Sequence, residues 1–440
     1  MARKHTGAAR KPATAAGEGE DRAGLGPRRA AWRLLNAVTG EGMLLSDARA
    51  AAMMASLAPE GRARAQRLAT ETLRHLTRLD GWLGPRLRKG PPLAVRNALR
   101  LGALEIGQGE AGHGVVNAVV ALVAEGKRTE AYRSLVNAVL RGLVEEGPEG
   151  WERLGPAHLP DWLRQPLIEA WGGAAVRGIE AAHLAGAALD LSAKGDPAAL
   201  AETLGGRLLP TGTVRLDAGV QVTALPGWHE GEFWVQDAAA ALPARVLAAQ
   251  PGERVLDLCA APGGKTLQMA AMGAEVTALD LSAPRLERLR DNIARTGLKA
   301  RVLQGDALEF DETGWDAILL DAPCSATGTI RRHPDLPVAR DGAEISGLIE
   351  LQARMIDHAL TLLRPGGRLV FATCSLLPDE GEAQAEAALE RHPGLALEPA
   401  EAPGIDPAWR MELGLRTRPD LWTEEGGLDG FFVARLRARA

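Results

Sequence analysis

Asp257-Leu258-Cys259-Ala260-Ala261-Pro262-Gly263-Gly264-Lys265-Thr266 closes a short apolar run at 254–258 and opens a stretch with helical patterning. Strand, glycine turn and helix in that order form the opening unit of a strand–helix–strand fold. Paired glycines let the chain turn sharply and let a ligand approach the backbone, and the helix start offers free N–H groups. The loop is not a Walker phosphate loop, because the position five before Gly264 is Cys259, where glycine is required. It also lacks the GxGxxG spacing of dinucleotide sites, which disfavours NAD.

Beyond this string, further apolar runs fall at 275–279, 300–303, 317–320 and 368–372. Helix-patterned stretches separate them, notably 345–363, with apolar residues at Ile345, Leu348, Ile349, Met355, Ile356 and Leu360. This alternation predicts an open parallel sheet covered by helices on both faces. Ligands of such sheets sit at the carboxyl ends of the strands, so the loops there are where chemistry is sought. The second run ends at Asp280, placed to accept hydrogen bonds from a ribose diol, and the third leads to Gly305-Asp306, where a carboxylate can receive an exocyclic amine. Two carboxylates at successive strand ends after a glycine loop favour an adenosine-containing ligand over ordinary loop and capping roles. The fourth and fifth runs end in Asp321-Ala322-Pro323-Cys324-Ser325 and Thr373-Cys374-Ser375. All three cysteines of the chain lie in strand-end loops, and neighbouring strands would bring Cys324 and Cys374 to one crevice. With no CxxC pair and no histidine-rich partner set, metal is the weakest reading of these thiols.

The chain has 440 residues, 46% of them hydrophobic and 24% charged, which fits two or three packed domains. Its longest apolar stretch, 115–124, is half the length of a membrane span, and there is no secretory apolar core near the start, so a soluble, reducing, cytoplasmic setting is expected. The net charge of −5 conceals an asymmetry. Residues 1–144 carry 23 Lys and Arg against 12 Asp and Glu, a net of +11, which leaves 28 against 44, or −16, for the rest. Residues 1–27 read as a disordered basic tail. From 28 to 145, apolar residues recur at helical spacing and predict six or seven helices with basic residues outside, a pattern suited to RNA or another polyanion. Residues 146–235 read as a small α+β module. One or two helices are expected between Trp151 and Trp171, with strands at 189–192, 213–216 and 221–224 and a helix near 196–204.

These residues carry a resemblance. The 257–266 string, the Asp321–Ser325 loop with Gly328 and Arg331-Arg332-His333-Pro334-Asp335, and Thr373-Cys374-Ser375 followed by Glu380 and Glu382 resemble the Sun/RsmB family of RNA 5-methylcytosine methyltransferases. Trp234-Val235-Gln236-Asp237 and the GLDGFFV string at 427–433 extend the match, and Val136-Asn137-Ala138-Val139-Leu140-Arg141 is similar to NusB. The resemblance implies an all-α NusB-like helical bundle at 28–145, a connecting module at 146–235 and an α/β Rossmann-like S-adenosylmethionine-dependent methyltransferase domain at 236–440. It implies a nucleophilic Cys374 and release assisted by Cys324. The cofactor would be held by Cys259, Ala260, Ala261, Pro262, Gly263, Gly264, Lys265, Asp280 and Asp306, with Cys259 as a structural part of the loop. Asp321, counted with that pocket, is placed to hydrogen-bond the base near a ring nitrogen. Activation of Cys374 is expected from Lys265 or a helix N-terminus, and no metal is expected.

The implied substrate is 16S ribosomal RNA outside the fully assembled subunit, bound by a monomer without DNA or membrane partners. The same reaction on tRNA or another ribosomal site, and an RNA-binding assembly or antitermination factor, stand as alternatives. RNA would approach Cys374 along Lys265, Arg331, Arg332 and His333. One departure is that 189–194 reads Leu-Asp-Leu-Ser-Ala-Lys where the family usually shows an Arg-Val-Asn-like string, which puts the RNA contacts of the connecting module in doubt.

Overall fold

The computed structural model describes residues 17–439 and divides the chain into two compact units, 1–157 and 158–440. Residues 1–16 of the expected basic tail lie outside the described residues. From Gly17 onward the chain is helical, so residues 17–27 extend the first helix of the bundle instead of forming a tail.

Among the described residues the first unit is all-helical: α1 (Gly17–Glu41), α2 (Ala48–Met54), α3 (Pro59–Arg74), α4 (Leu76–Leu83), α5 (Leu93–Gly107), α6 (Gly112–Ala124), α7 (Arg133–Glu146) and α8 (Pro148–Glu152). Helix α5 is the centre of the bundle. Its residues from Ala98 to Leu104 are buried on every side, including Arg100, which is held by Asp80 at 2.5 Å and by Asn97 at 2.8 Å. Buried Glu105 on the same helix takes Arg28 at 2.8 Å and Arg64 at 3.4 Å. Several arginines expected on the outside are therefore structural, because a buried charge is tolerated only with a partner. Arg62, Arg67, Arg88, Lys89, Lys127, Arg128 and Arg141 remain exposed.

The second unit opens with α9 (Asp161–Ala185), two helical segments joined across Gly172, whose φ of 78° breaks the helix. The expected helices end at Trp171 and do not include the segment beyond the kink. There follow β1 (Leu189–Ala193), α10 (Pro197–Leu204), β2 (Arg207–Leu208), β3 (Val214–Leu216) and β4 (Phe233–Val235), with strand order β2-β3-β1-β4. Helix α10 begins where Asp196 accepts a hydrogen bond from the Ala198 N–H and ends at left-handed Gly205. The strand expected at 221–224 is instead a 3₁₀ turn, Val222–Ala224. No register in the four-stranded sheet includes it.

The remaining elements are α11 (Leu242–Leu247), β5 (Arg254–Leu258), α12 (Gly264–Ala271), β6 (Glu275–Asp280), α13 (Ala283–Thr296), β7 (Arg301–Gln304), β8 (Trp315–Asp321), α14 (Leu336–Ala339), α15 (Ile345–Leu362), β9 (Leu363–Thr373), α16 (Glu382–Arg391), β10 (Leu395–Glu398), β11 (Arg410–Met411), β12 (Gly414–Thr417) and β13 (Phe431–Ala438). Strands β9-β8-β5-β6-β7 are parallel, as predicted. Their central members are buried on both faces, which is why Val255-Leu256 and Ile318-Leu319-Leu320 read as unbroken apolar runs. The wholly parallel sheet is nevertheless a correction. Strand β13 adds antiparallel to β9, pairing Phe432 with Thr373, and carries β12, β11 and β10 with it to make a mixed nine-stranded sheet. Arg435 and Arg437 on β13 are paired with Glu398 of β10, so the charges that disguise the strand are answered by its neighbour. Among the described residues no helix is long and apolar enough to cross a membrane.

Candidate active site

The strand order places β5 between β8 and β6, so the loops after these strands and after β9 open at one edge. The glycine loop is built under constraint. Cys259 has φ 61° and Gly263 φ 103°, and a Cβ on Gly263 would lie 2.1 Å from Leu289 Cδ1, so the turn has no room for a side chain. Asp280 at the end of β6 is buried and accepts from the N–H groups of Ala261 at 3.0 Å and Ser282 at 2.9 Å. It therefore shapes the loop from beneath. Arg285 is half-exposed yet donates to Ala261 O and lies 3.7 Å from Asp280. Asp306 is exposed and accepts from the Leu308 N–H at 2.9 Å.

Two further features fit a ligand with polar and apolar parts. Leu281, directly after Asp280, is 69% exposed. Asp257 is fully buried at the end of β5, its Oδ2 accepting from Thr266 Oγ1 at 2.5 Å while its Oδ1 has no hydrogen-bond partner. Burial pushes the Asp257 carboxyl up to about 7. Burial, with Asp321, Asp280 and Asp257 adding to it, likewise raises the Cys259 thiol far above its ordinary range, so this cysteine is an inert part of the loop. Neither Leu281 nor Asp257 is singled out by sequence reasoning. An apolar residue next to a strand-end carboxylate is the available signal for the first.

Cys324 and Cys374 meet. Their Sγ atoms are 3.4 Å apart, on loops that follow the adjacent strands β8 and β9. The hydrogen bond to Cys374 is the largest influence on Cys324, and together with burial and the nearby Glu380 it holds that thiol well above its usual range. Cys324 is thus kept as a neutral S–H beside Cys374. Lys265, expected to activate Cys374, gives its ammonium to Asp321 at 2.7 Å and stands 5.3 Å from the centre of the Phe431 ring. The carboxylate expected to face the base therefore carries its own counter-cation.

The basic path needs correction. Arg331 is fully buried, 3.6 Å from Asp237 and 3.5 Å from Asp429, so it binds the fold together and does not reach solvent. Arg332 is partly exposed and paired with Asp429 at 2.5 Å. Burial works against its charge, but Asp429, Asp237 and Cys374 together raise it above the ordinary guanidinium range, so a fixed cation stands within electrostatic reach of Cys374. Desolvation, assisted by Arg332, lowers His333, which favours its neutral form. The Asp429 N–H donates to Asp237 Oδ1 at 3.2 Å, which joins two sequence strings 192 residues apart that sequence reading could only note side by side. In the 189–194 stretch, Asp190 is buried against Arg215, Ser192 bonds Gln236 and Lys194 caps Thr296 O, so it serves the scaffold.

A glycine loop between carboxylates, beside a thiol pair on the next strands of a parallel sheet extended by an antiparallel strand, places a ligand crevice and two thiols at the strand ends of a Rossmann-like domain. Residues 244–437 match the model of the 16S rRNA methyltransferase RsmB/F family, and residues 26–145 match that of the NusB family. The first match covers most of the sheet-bearing part of the chain and the second covers the helical part. The ribosomal RNA small subunit methyltransferase B of Salmonella arizonae is 48% identical over 229 residues, 51% of this chain and 51% of the relative. The chain thus spans about half the length of the curated relatives it matches. The crystal structure of PH0851 shares the fold at a TM-score of 0.73 and 22% identity, covering 93% of this chain and 98% of that one. A methyltransferase homolog protein from Pyrococcus horikoshii aligns at a TM-score of 0.52 and 27% identity, covering 62% and 93%.

Proposed function

We propose that the protein is an S-adenosylmethionine-dependent methyltransferase that forms 5-methylcytosine in 16S ribosomal RNA. The observation that carries this reading is the 3.4 Å separation of Cys324 and Cys374 beside the glycine loop. Carbon 5 of cytosine is a weak nucleophile, so the Cys374 thiolate adds to carbon 6 and makes carbon 5 enamine-like. Bound S-adenosylmethionine supplies an electrophilic methyl group to that carbon. The backbone of 259–265, Asp280, Asp306 and the exposed face of Leu281 would hold it. Asp321, with Lys265 beside it, hydrogen-bonds the base near its ring nitrogen as charge changes there. Carbon 5 then gives its proton to solvent water, the electron pair left behind restores the ring double bond and expels Cys374 Sγ from carbon 6 as a thiolate, and Cys324 assists this release.

Both sulfurs must reach one base, so the substrate is a loop or an unfolded stretch of RNA, met before the subunit is fully assembled, with the target base turned out of any stack. The exposed cations of the helical unit supply affinity for the phosphate backbone. The enzyme acts as a cytoplasmic monomer. In the test, each cysteine is replaced and RNA is incubated with S-adenosylmethionine. Cys324→Ala accumulates a denaturant-resistant protein–RNA adduct, and Cys374→Ala forms none. Adduct in the Cys374 variant, or in neither, overturns the assignment. Bisulfite mapping of ribosomal and transfer RNA from cells with and without the protein identifies the modified cytosine.

A further inference from the structure

Each cysteine of the pair is followed directly by a serine, Ser325 and Ser375, and both serines are buried. Their hydroxyl oxygens lie 3.1 Å apart, and Thr327 Oγ1 lies 3.3 Å from each of them. The groups around this cluster fix the direction of its hydrogen bonds. Ser375 Oγ accepts from the Leu377 N–H at 3.0 Å, and Thr327 Oγ1 accepts from the Leu376 N–H at 2.9 Å. Ser325 Oγ donates to Glu380 Oε2 at 2.5 Å, and its N–H donates to Glu380 Oε1 at 2.9 Å. A hydroxyl has one proton. With that of Ser325 committed to Glu380, the protons of Ser375 and Thr327 are left to run toward Ser325, and the chain ends on one carboxylate.

Glu380 is itself fully buried and grips both loops. Gln352 Nε2 bridges from Glu380 Oε1 at 3.1 Å to Pro323 O at 2.8 Å, the residue before Cys324. Thr373 Oγ1, before Cys374, donates to Glu380 O at 2.9 Å. The residues on either side of both cysteines are therefore tied to one acidic residue. A contact between two thiols is a weak hydrogen bond and cannot by itself hold two loops together.

We propose that Glu380, acting through Ser325, Ser375 and Thr327, is the positioning group that holds the Cys324 thiol against Cys374, so that release of the methylated base depends on it. The inference rests on the proposed roles of the two cysteines. A buried carboxylate is a poor way to fill space, since apolar residues of similar volume often serve packing equally well. What it supplies here is an acceptor at the end of a directed chain. Glu380→Gln keeps the shape but puts an NH₂ group where an oxygen now accepts from Ser325 or Gln352. A displacement of ~1 Å at a reacting group costs on the order of 10²-fold in rate.

The test uses the full chain with an unmodified 16S ribosomal RNA transcript and S-adenosylmethionine, comparing Glu380→Gln and Ser375→Ala with the wild type and with Cys324→Ala. Turnover, KM for RNA and the denaturant-resistant adduct are measured together. The expected result is that both variants lose roughly 10- to 100-fold in kcat, keep KM within about twofold and accumulate adduct with Cys324 still present. Ser375→Ala removes one neutral hydroxyl and carries the test if Glu380→Gln does not fold. Adduct and turnover falling together, or unchanged turnover, while Cys324→Ala still traps RNA, overturns the inference alone. No adduct in Cys324→Ala overturns the reading of the cysteine pair, and the inference falls with it.

Discussion

Asp257 shows how one side chain links the glycine loop to stability. Burial holds its carboxyl at about 7, with Asp321 and Asp280 reinforcing the effect and Thr266 and Lys265 opposing it. An unfolded aspartate titrates near ~3.9, so between those values the folded state keeps a proton that the unfolded state has lost. Stability from this group is full below about pH 4 and is lost as pH rises through 7. Asp257→Asn removes that slope. Urea unfolding of wild type and variant at pH 5 and pH 8 should show the wild type losing roughly 2–3 kcal/mol relative to the variant across the interval. A constant difference would mean that Asp257 ionises like an exposed acid. Arg331 and Arg332 teach the complementary lesson. They are adjacent and chemically identical, yet one is sealed between Asp237 and Asp429 and the other stands partly in solvent near Cys374.

At the scale of elements, the small four-stranded sheet is fastened to the nine-stranded sheet by Arg215. From β3 it holds Asp190 of β1 at 2.6 Å and reaches the carbonyls of Glu425 and Gly427, just before β13. Asp190 in turn accepts the Ala238 N–H at 2.9 Å. Arg215→Met leaves a buried carboxylate without its cation and should cost ~3–5 kcal/mol of stability by urea unfolding. Adding Asp190→Leu to that variant should recover part of the loss, because the stranded charge is then gone. Additive losses would show that the two residues act independently. The close passage of Gly328 and Gly430 has the same character. A Cβ on Gly328 would sit 2.0 Å from Gly430 O, so the loop bearing Cys324 and the entry to β13 meet backbone to backbone. Glycine in both strings follows from that contact, and nothing in either string alone announces the other.

Across the whole molecule, the net charge of −5 divides into +11 for residues 1–144 and −16 for the rest. Part of the positive total is taken up by internal pairs at Arg28, Arg64 and Arg100, which leaves a smaller set of exposed cations. Replacing Arg62, Arg67, Arg88 and Lys89 with glutamine in the full chain should weaken RNA binding. It should also reduce the slope of log affinity against log salt by about 0.7–0.9 for each phosphate no longer neutralised, with affinity for S-adenosylmethionine unchanged. An unchanged salt slope would place the RNA-binding surface elsewhere.

Local patterning in the chain was enough to establish the parallel sheet, the glycine loop and the strand-end positions of all three cysteines, because short buried strands and paired glycines leave strong signals along the sequence. It did not reveal β13 as a neighbour of β9, the helical segment beyond Gly172, or the loss of Arg331 to the interior. Those depend on partners far along the chain. Folding in three dimensions settled that Lys265 belongs to Asp321, that two thiols 50 residues apart stand 3.4 Å from each other, and that Glu380 ties their loops together. The physical reason is common to all three. Hydrogen bonds and ion pairs act over a few ångströms of space, while a sequence pattern records only the spacing of residues along the chain.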